Sequence, residues 1–163
     1  MIGFTKSDSG LSDAQIHGAE LILGVKFPHA YRETIKLYND SHGDVDFPIP
    51  ESSHLGCMGH WLSILPWDEY SIWPLLCNWS AHGMDKLIIP FGEDGGGNLI
   101  CFDYRETPNP KVSLHYHEVG GIDGLCTIAP SFELFISSFT TPRAYGHSKS
   151  RSGRSSHILK LET

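Results

Sequence analysis

The feature that most constrains this chain is the stretch from Lys86 to Tyr104. An apolar run, Lys86 to Phe91, meets Gly92-Glu93-Asp94-Gly95-Gly96-Gly97, and a second apolar run, Asn98 to Tyr104, follows. Two short apolar runs joined by such glycine density read as two strands and a tight turn, because only glycine enters positive φ without steric cost. Pro108-Asn109-Pro110 marks another turn. Lys111 to His117 then alternates, with Val112, Leu114 and Tyr116 on one face and Lys111, Ser113, His115 and His117 on the other. The pattern predicts a three-stranded antiparallel meander whose histidine face meets solvent.

Helical spacing flanks this region. Ser12 and Gln15 have the spacing of a capping box, and Ile16, Ala19 and Leu23 recur on one face before Gly24 stops the helix. Pro28 suits the first position of a second helix striped by Tyr31, Ile35 and Tyr38. Residues 44–60 read as loop, and Trp61 to Leu65 as a short strand. Residues 67–82 read as two short helices, with Pro74 starting the second because proline breaks a helix interior. Residues 118–126 read as a Gly-rich loop. A final helix starts at Pro130 or Ser131 and carries Phe132, Phe135, Ile136 and Phe139. Helices, then strands, then a helix define an α+β chain. Its 163 residues suit one domain over 1–142. Residues 143–163, rich in Ser, Gly and basic side chains, read as a flexible tail.

Composition narrows function by exclusion. No apolar run approaches the ~18 residues of a membrane helix, and MIGFTKSDSG lacks the apolar region of a secretory signal. The expectation is a soluble, cytoplasmic protein. Residues 1–142 hold 7 Lys/Arg and 18 Asp/Glu, a net of −11, whereas 143–163 hold 5 and 1, a net of +4. An acidic body repels nucleic acid and membrane phosphates and attracts cationic partners. Cys57, Cys77, Cys101 and Cys126 are 20, 24 and 25 residues apart. Those spacings are neither a zinc framework nor a required disulfide scaffold, so they read as reduced, mostly buried thiols.

The motifs that carry chemistry fail on detail. The glycine run has no G-x-x-x-x-G-K-[ST] or G-x-G-x-x-G, holds two carboxylates, and lies between strands rather than opening a helix. His115 and His117 share a strand face but have no third ligand at motif spacing. Glu93, Asp94 and Asp103 flank the same hairpin without a calcium-loop pattern. There is no G-x-S-x-G elbow. No catalytic, cofactor-binding or metal residue is assigned. All four tryptophans, Trp61, Trp67, Trp73 and Trp79, fall in one 19-residue stretch. They read as core more than contact surface, although Trp is enriched among interface anchors.

Three segments in order resemble the SUKH superfamily, which contains fungal cell-wall-synthesis regulators of SMI/KNR type and many bacterial toxin-immunity proteins. The first is the helix joint with Leu23, Gly24, Pro28 and Tyr31, followed by the turn Asn39 to Gly43. The second is LIIPFGEDGGGNLICFDYRE, residues 87–106, with Asp103 at the strand end, then the strand Val112 to His117. The third is IAPSFELFI, residues 128–136. The likeness spans roughly residues 12–139. The chain departs from it where Asp40-Ser41-His42 separates Asn39 from Gly43, and where Pro130 replaces a small residue.

The resemblance implies a central, largely antiparallel sheet flanked by helices, with an N-terminal helix pair and a C-terminal helix. It also implies a protein that is not an enzyme and needs no cofactor. Its bacterial members bind and neutralise toxins, many of them nucleases. The acidic body agrees independently, since a cationic toxin is steered towards it. The expected partner is a basic cognate toxin, occluded stoichiometrically, and not nucleic acid or membrane. The candidate contacts are acidic and aromatic residues of the middle region: Asp44, Asp46, Glu51, Trp67, Asp68, Glu69, Tyr70 and Trp73. The alternatives are a regulatory scaffold binding a host protein, as in the fungal relatives, and a small enzyme or metal protein built on His115, His117 and Asp103.

Overall fold

The computed structural model describes residues 3–142 except Ser9. The tail assigned to 143–163 lies outside the described residues. The capping box forms: Ser12 Oγ accepts the Gln15 N–H at 3.3 Å and Gln15 Oε1 accepts the Ser12 N–H at 2.9 Å. Helix α1 (Asp13–Leu23) ends at Gly24, whose φ of 70° is the left-handed stop that glycine permits. Pro28 caps α2 (His29–Tyr38) from one position ahead of its first turn. Glu20 locks the joint between them. Its buried carboxylate accepts the Phe27 N–H at 2.9 Å, Arg32 Nη1 at 2.7 Å and Lys26 Nζ at 3.4 Å.

Six strands form one antiparallel sheet in sequential order: β1 (His42–Pro48), β2 (Leu55–Trp61), β3 (Ile88–Asp94), β4 (Leu99–Asp103), β5 (Lys111–His115) and β6 (Leu125–Ala129). The meander predicted from the sequence is β3–β4–β5. Strands β1 and β2 stand mostly where the pattern predicts loop, and β6 begins at the end of the predicted Gly-rich loop and runs over residues left unassigned. In β1 the alternation Asp44-Val45-Asp46-Phe47 covers only four residues before Pro48. In β2 the glycines hide the period, and Gly56 is required there because a Cβ would lie 2.3 Å from the Phe47 ring. Trp61 ends β2 instead of opening a strand. Residues 67–70 are not helical. Helix α3 (Ile72–Asn78) takes Pro74 in its first turn, and a 3-10 turn, Ser80–His82, follows.

The turn after β3 is built as its composition predicts. Asp94 Oδ1 accepts the Gly96 and Asn98 N–H groups at 2.8 Å each, and Gly97 takes φ 85°. Helix α4 (Phe132–Ser137) is capped by Ser131.

The core lies between the sheet and α1, α2 and α4, and it is aromatic. Tyr31 meets Phe27 and Phe102 at 5.0 Å, Phe132 at 5.4 Å and Phe91 at 5.7 Å, while Phe91 stacks on Phe102 at 4.3 Å. Phe135 closes on Phe47 at 5.2 Å. The other face of β3–β5 is also covered, which corrects the expected solvent-facing histidine side. Ser113 and His115 are buried. Trp79 lies over this face, donating Nε1–H to the Ile88 carbonyl at 2.7 Å with its ring 5.9 Å from that of His115. Alternation marks which residues share a face; the cover comes from a distant segment. Among the described residues, no helix is long and apolar enough to cross a membrane. The four cysteines are free, and only Cys101 is fully buried.

Candidate functional site

No Lys or Arg stands between Lys36 and Lys86, a stretch that holds seven carboxylates. This stretch supplies β1, β2, the connection at 62–71, and α3. Register sets Asp46 opposite Cys57 across β1 and β2. The Cys57 thiol donates to Asp44 Oδ1 at 2.7 Å, and donor atoms of Asp44, Asp46 and Cys57 all lie within 4.8 Å of one another. Burial pushes the Cys57 thiol up to about 12, reinforced by its bond to Asp44 and by the charges of Asp44, Asp46 and Asp94. Next along the sheet, burial and the Asp94 carboxylate raise Glu93. The thiol therefore stays protonated and is a poor nucleophile. What the arrangement offers is crowded negative charge with no Lys or Arg among the described residues to balance it.

The second group lies where β1 starts and β2 ends. The His42 and His60 rings stack at 3.8 Å, and Tyr70 meets them edge-on at 5.5 and 4.5 Å. Asp40, held at φ 55°, brings its carboxylate 3.1 Å from His60 Nε2. Burial and the neighbouring His42 lower the His60 pKa against the pull of Asp40. A polar lattice fixes the connection above them. Asn39 Nδ2 donates to Ser63 Oγ at 2.8 Å, Ser63 Oγ donates to Asp68 Oδ2 at 2.5 Å, and Asn39 Oδ1 accepts the Ile64 N–H at 3.1 Å. This leaves the Trp67 side chain 72% and Tyr70 43% exposed.

The eight sequence-derived candidates thus divide. Asp44 and Asp46 converge on Cys57. Glu51, at φ 61°, is exposed in the β1–β2 turn. Trp67, Glu69 and Tyr70 project from 62–71. Asp68 turns back into the lattice, and Trp73 is half-buried, donating Nε1–H to the Ile64 carbonyl at 2.8 Å. The tryptophans split likewise: Trp61 and Trp79 are core. His115 and His117 do not converge. His115 Nε2 is 3.1 Å from the Gly121 carbonyl, while exposed His117 bonds Asn98. Asp103 pairs with Arg105, separate from Glu93 and Asp94. Asp40, His42, His60 and Cys57 escaped sequence reasoning. Their available signal was the four-residue alternation of β1 and the missing cations around it.

The longest cation-free stretch of the α+β fold thus becomes one strand pair, a tied-down aromatic connection and α3. The chain belongs to the SMI1 / KNR4 family (SUKH-1), whose model matches residues 10–138. Members of this family are generally non-enzymatic immunity or regulatory proteins. No curated protein and no solved structure matches the chain.

Proposed function

We propose that this protein is an immunity protein that binds a basic bacterial toxin and neutralises it by stoichiometric occlusion in the cytoplasm. The observation that carries the reading is the folding of the cation-free stretch into one region. Asp44 and Asp46 form its charged part, and exposed Trp67 and Tyr70 form its aromatic part. Carboxylates steer a cationic partner and raise its on-rate. Exposed aromatics on a fixed backbone supply the anchors that slow its release. A nuclease toxin suits the chemistry because its own nucleic-acid site is cationic, and an acidic surface covers it.

The test is binding kinetics against the protein recovered with this chain from its native cell, with a growth-rescue assay by co-expression. The expected result is rescue, an on-rate that falls strongly with salt and with Asp44→Lys/Asp46→Lys, and an off-rate raised by Trp67→Ala, worth ~2 kcal/mol or more. Trp67 is mostly exposed, so its loss leaves stability nearly unchanged. A recovered partner that is neither toxic nor basic, or an on-rate indifferent to salt and charge reversal, would move the chain to the regulatory-scaffold reading.

A further inference from the structure

We infer that the stacked His42–His60 pair is a proton-operated mount for Tyr70: it holds the Tyr70 ring in place while at most one imidazole is charged, and releases it when both are. That release weakens the hold on a partner rests on the function proposed above; the mount itself does not.

The first observation is that the backbone forces the two imidazoles together. His42 and His60 stand directly opposite in the β1–β2 register, and beside them the Ser41 carbonyl accepts the Trp61 N–H at 2.9 Å. The rings stack at 3.8 Å with 27° between their planes. A neutral or singly charged pair tolerates this contact, whereas two positive charges so close oppose each other.

The second observation is how little surrounds the pair to absorb a second charge. His42 is exposed and His60 is buried. From the turn after α2, Asp40 Oδ1 lies 3.1 Å from His60 Nε2. A carboxylate only accepts, so Nε2 carries the hydrogen of the neutral ring. From β3, half-buried Glu93 stands opposite His60, its own carboxyl raised by burial and Asp94. From the 62–71 connection come Tyr70 and Asp68, the latter turned towards Ser63 and Asn39. Asp40 is the carboxylate within ion-pair distance of His60 among the described residues, which suffices for one charge and not for two. Burial and His42 accordingly hold the His60 pKa below 6.5 against the pull of Asp40.

The third observation is that Tyr70 leans on this pair. Its backbone carbonyl accepts the Ser63 N–H at 2.9 Å, so the main chain is tied independently. The aromatic neighbours of its ring among the described residues are the two imidazoles, at 5.5 and 4.5 Å. A separation of the stack therefore reaches the Tyr70 ring before it reaches the backbone.

The experiment follows the full chain, with its His and Tyr rings isotope-labelled, by NMR between about pH 8 and about pH 5, the range in which imidazoles titrate. The two histidines should titrate in coupled steps, with the His60 midpoint below 6.5. Across the second step the Tyr70 ring signals should move towards their position in His42→Ala, which has no stack, while the amides of α1 stay in place. His42→Phe keeps a stacking ring that cannot be charged, and its Tyr70 signals should hold still over the same range. If that variant does not fold, His42→Gln, an uncharged polar residue at an exposed position, makes the same comparison. Tyr70 signals that stay still in the wild type, or that move alike in the uncharged variant, would overturn the mount.

Against the partner recovered as above, the off-rate should rise between about pH 7.5 and about pH 5.5 at least about threefold more for wild type than for His42→Phe, a comparison in which titration of the partner itself cancels. Equal rises would overturn the control of binding alone. The proposed function fails separately, by absence of growth rescue, whatever Tyr70 does.

Discussion

Glu20 is the position where a single atom change separates charge from shape. Its side chain is buried and accepts three donors that differ in what they can do without it. Lys26 and Arg32 side chains are 70% and 26% exposed, so water can replace the carboxylate for them. The amide of buried Phe27 has no such recourse. Glu20→Gln keeps an acceptor for that amide and nearly the same volume, and loses the charge. Charge-assisted bonds contribute ~1.5–3 kcal/mol and neutral ones ~0.5–1.5, so the expected loss is ~1–2 kcal/mol. Glu20→Ala also orphans the Phe27 N–H, at ~1–3 kcal/mol, for a total of ~2–5 kcal/mol. The pH dependence has a definite sign. Burial opposes the charge, but the Phe27 N–H, Arg32 and Lys26 more than offset it and hold the pKa below its ordinary 4.5. The stabilisation is therefore present above the unfolded value and lost as pH falls through the folded one. Urea unfolding followed by tryptophan fluorescence should show Glu20→Gln well below wild type at pH ~7, with the gap narrowing as pH falls below the ordinary value of 4.5. Equal midpoints for wild type and Glu20→Gln at pH ~7, or equal losses for Gln and Ala, would refute the assignment of Glu20 as the charged lock of the helix joint.

Phe135→Ala should cost ~3–5 kcal/mol in the same assay, because the ring is buried against Phe47 and Phe139. Gly97→Val should cost ~1–3 kcal/mol for a β-branched residue at φ 85°, with the larger effect there than at Gly95 or Gly96, whose φ is not positive; equal midpoints for all three would remove the tight-turn account. His115 faces the Trp79 ring, the Gly121 carbonyl and the charge of His117. Burial, helped by His117 and opposed by the Gly121 carbonyl, lowers its pKa from 6.5. The unfolded chain then takes the proton first, so stability should fall as pH drops below about 6.5. His115→Gln should flatten that slope between about pH 7 and pH 5, above the range where Glu20 and Asp103 titrate; an unchanged slope would show that His115 takes up its proton alike in the folded and unfolded states.

What the sequence made legible follows from the range of each signal. The capping box, the Gly24 stop, the turn at Asp94–Gly97 and the Phe132/Phe135 stripe are each fixed within a few residues, and each is found in place. The family likeness, carried by residues 12–139 taken in order, was legible for the same reason: its motifs are local. Strands β1 and β2 were not, because their evident period is short and is broken by Gly56, Gly59 and Pro48, of which Gly56 is set by the Phe47 ring on the partner strand. Nor was the burial of Ser113 and His115, since Trp79 reaches them from more than 30 residues away. At the candidate site the acidic and aromatic residue types were readable. Which ones converge was not: Asp68 looks like Glu69 in sequence until the Ser63–Asn39 lattice takes it inward.

The placement of charge follows from what covers the sheet. Under Trp79 the outer face of β3–β5 is closed, and a carboxylate there needs a partner: Asp103 has the Arg105 guanidinium, which with its backbone N–H holds the pKa down. Over β1 and β2 the side chains of Asp44 and Asp46 keep contact with water, so ionised groups stand close together at a modest cost. That cost is still repulsion, between like charges two residues apart on one face of β1. The Cys57 thiol relieves part of it by donating to Asp44. A cation relieves more, so any basic occupant gains both its own pairing energy and the removal of a strain stored in the free protein. The aromatic end of the region is organised differently: Tyr70 rests on stacked His42 and His60, and Trp67 stands free beside the Asn39–Ser63–Asp68 lattice. Charge that attracts at range and rings already fixed in place are separable functions on adjacent residues, which is why salt should act on the rate of encounter while Trp67 acts on the lifetime of the complex.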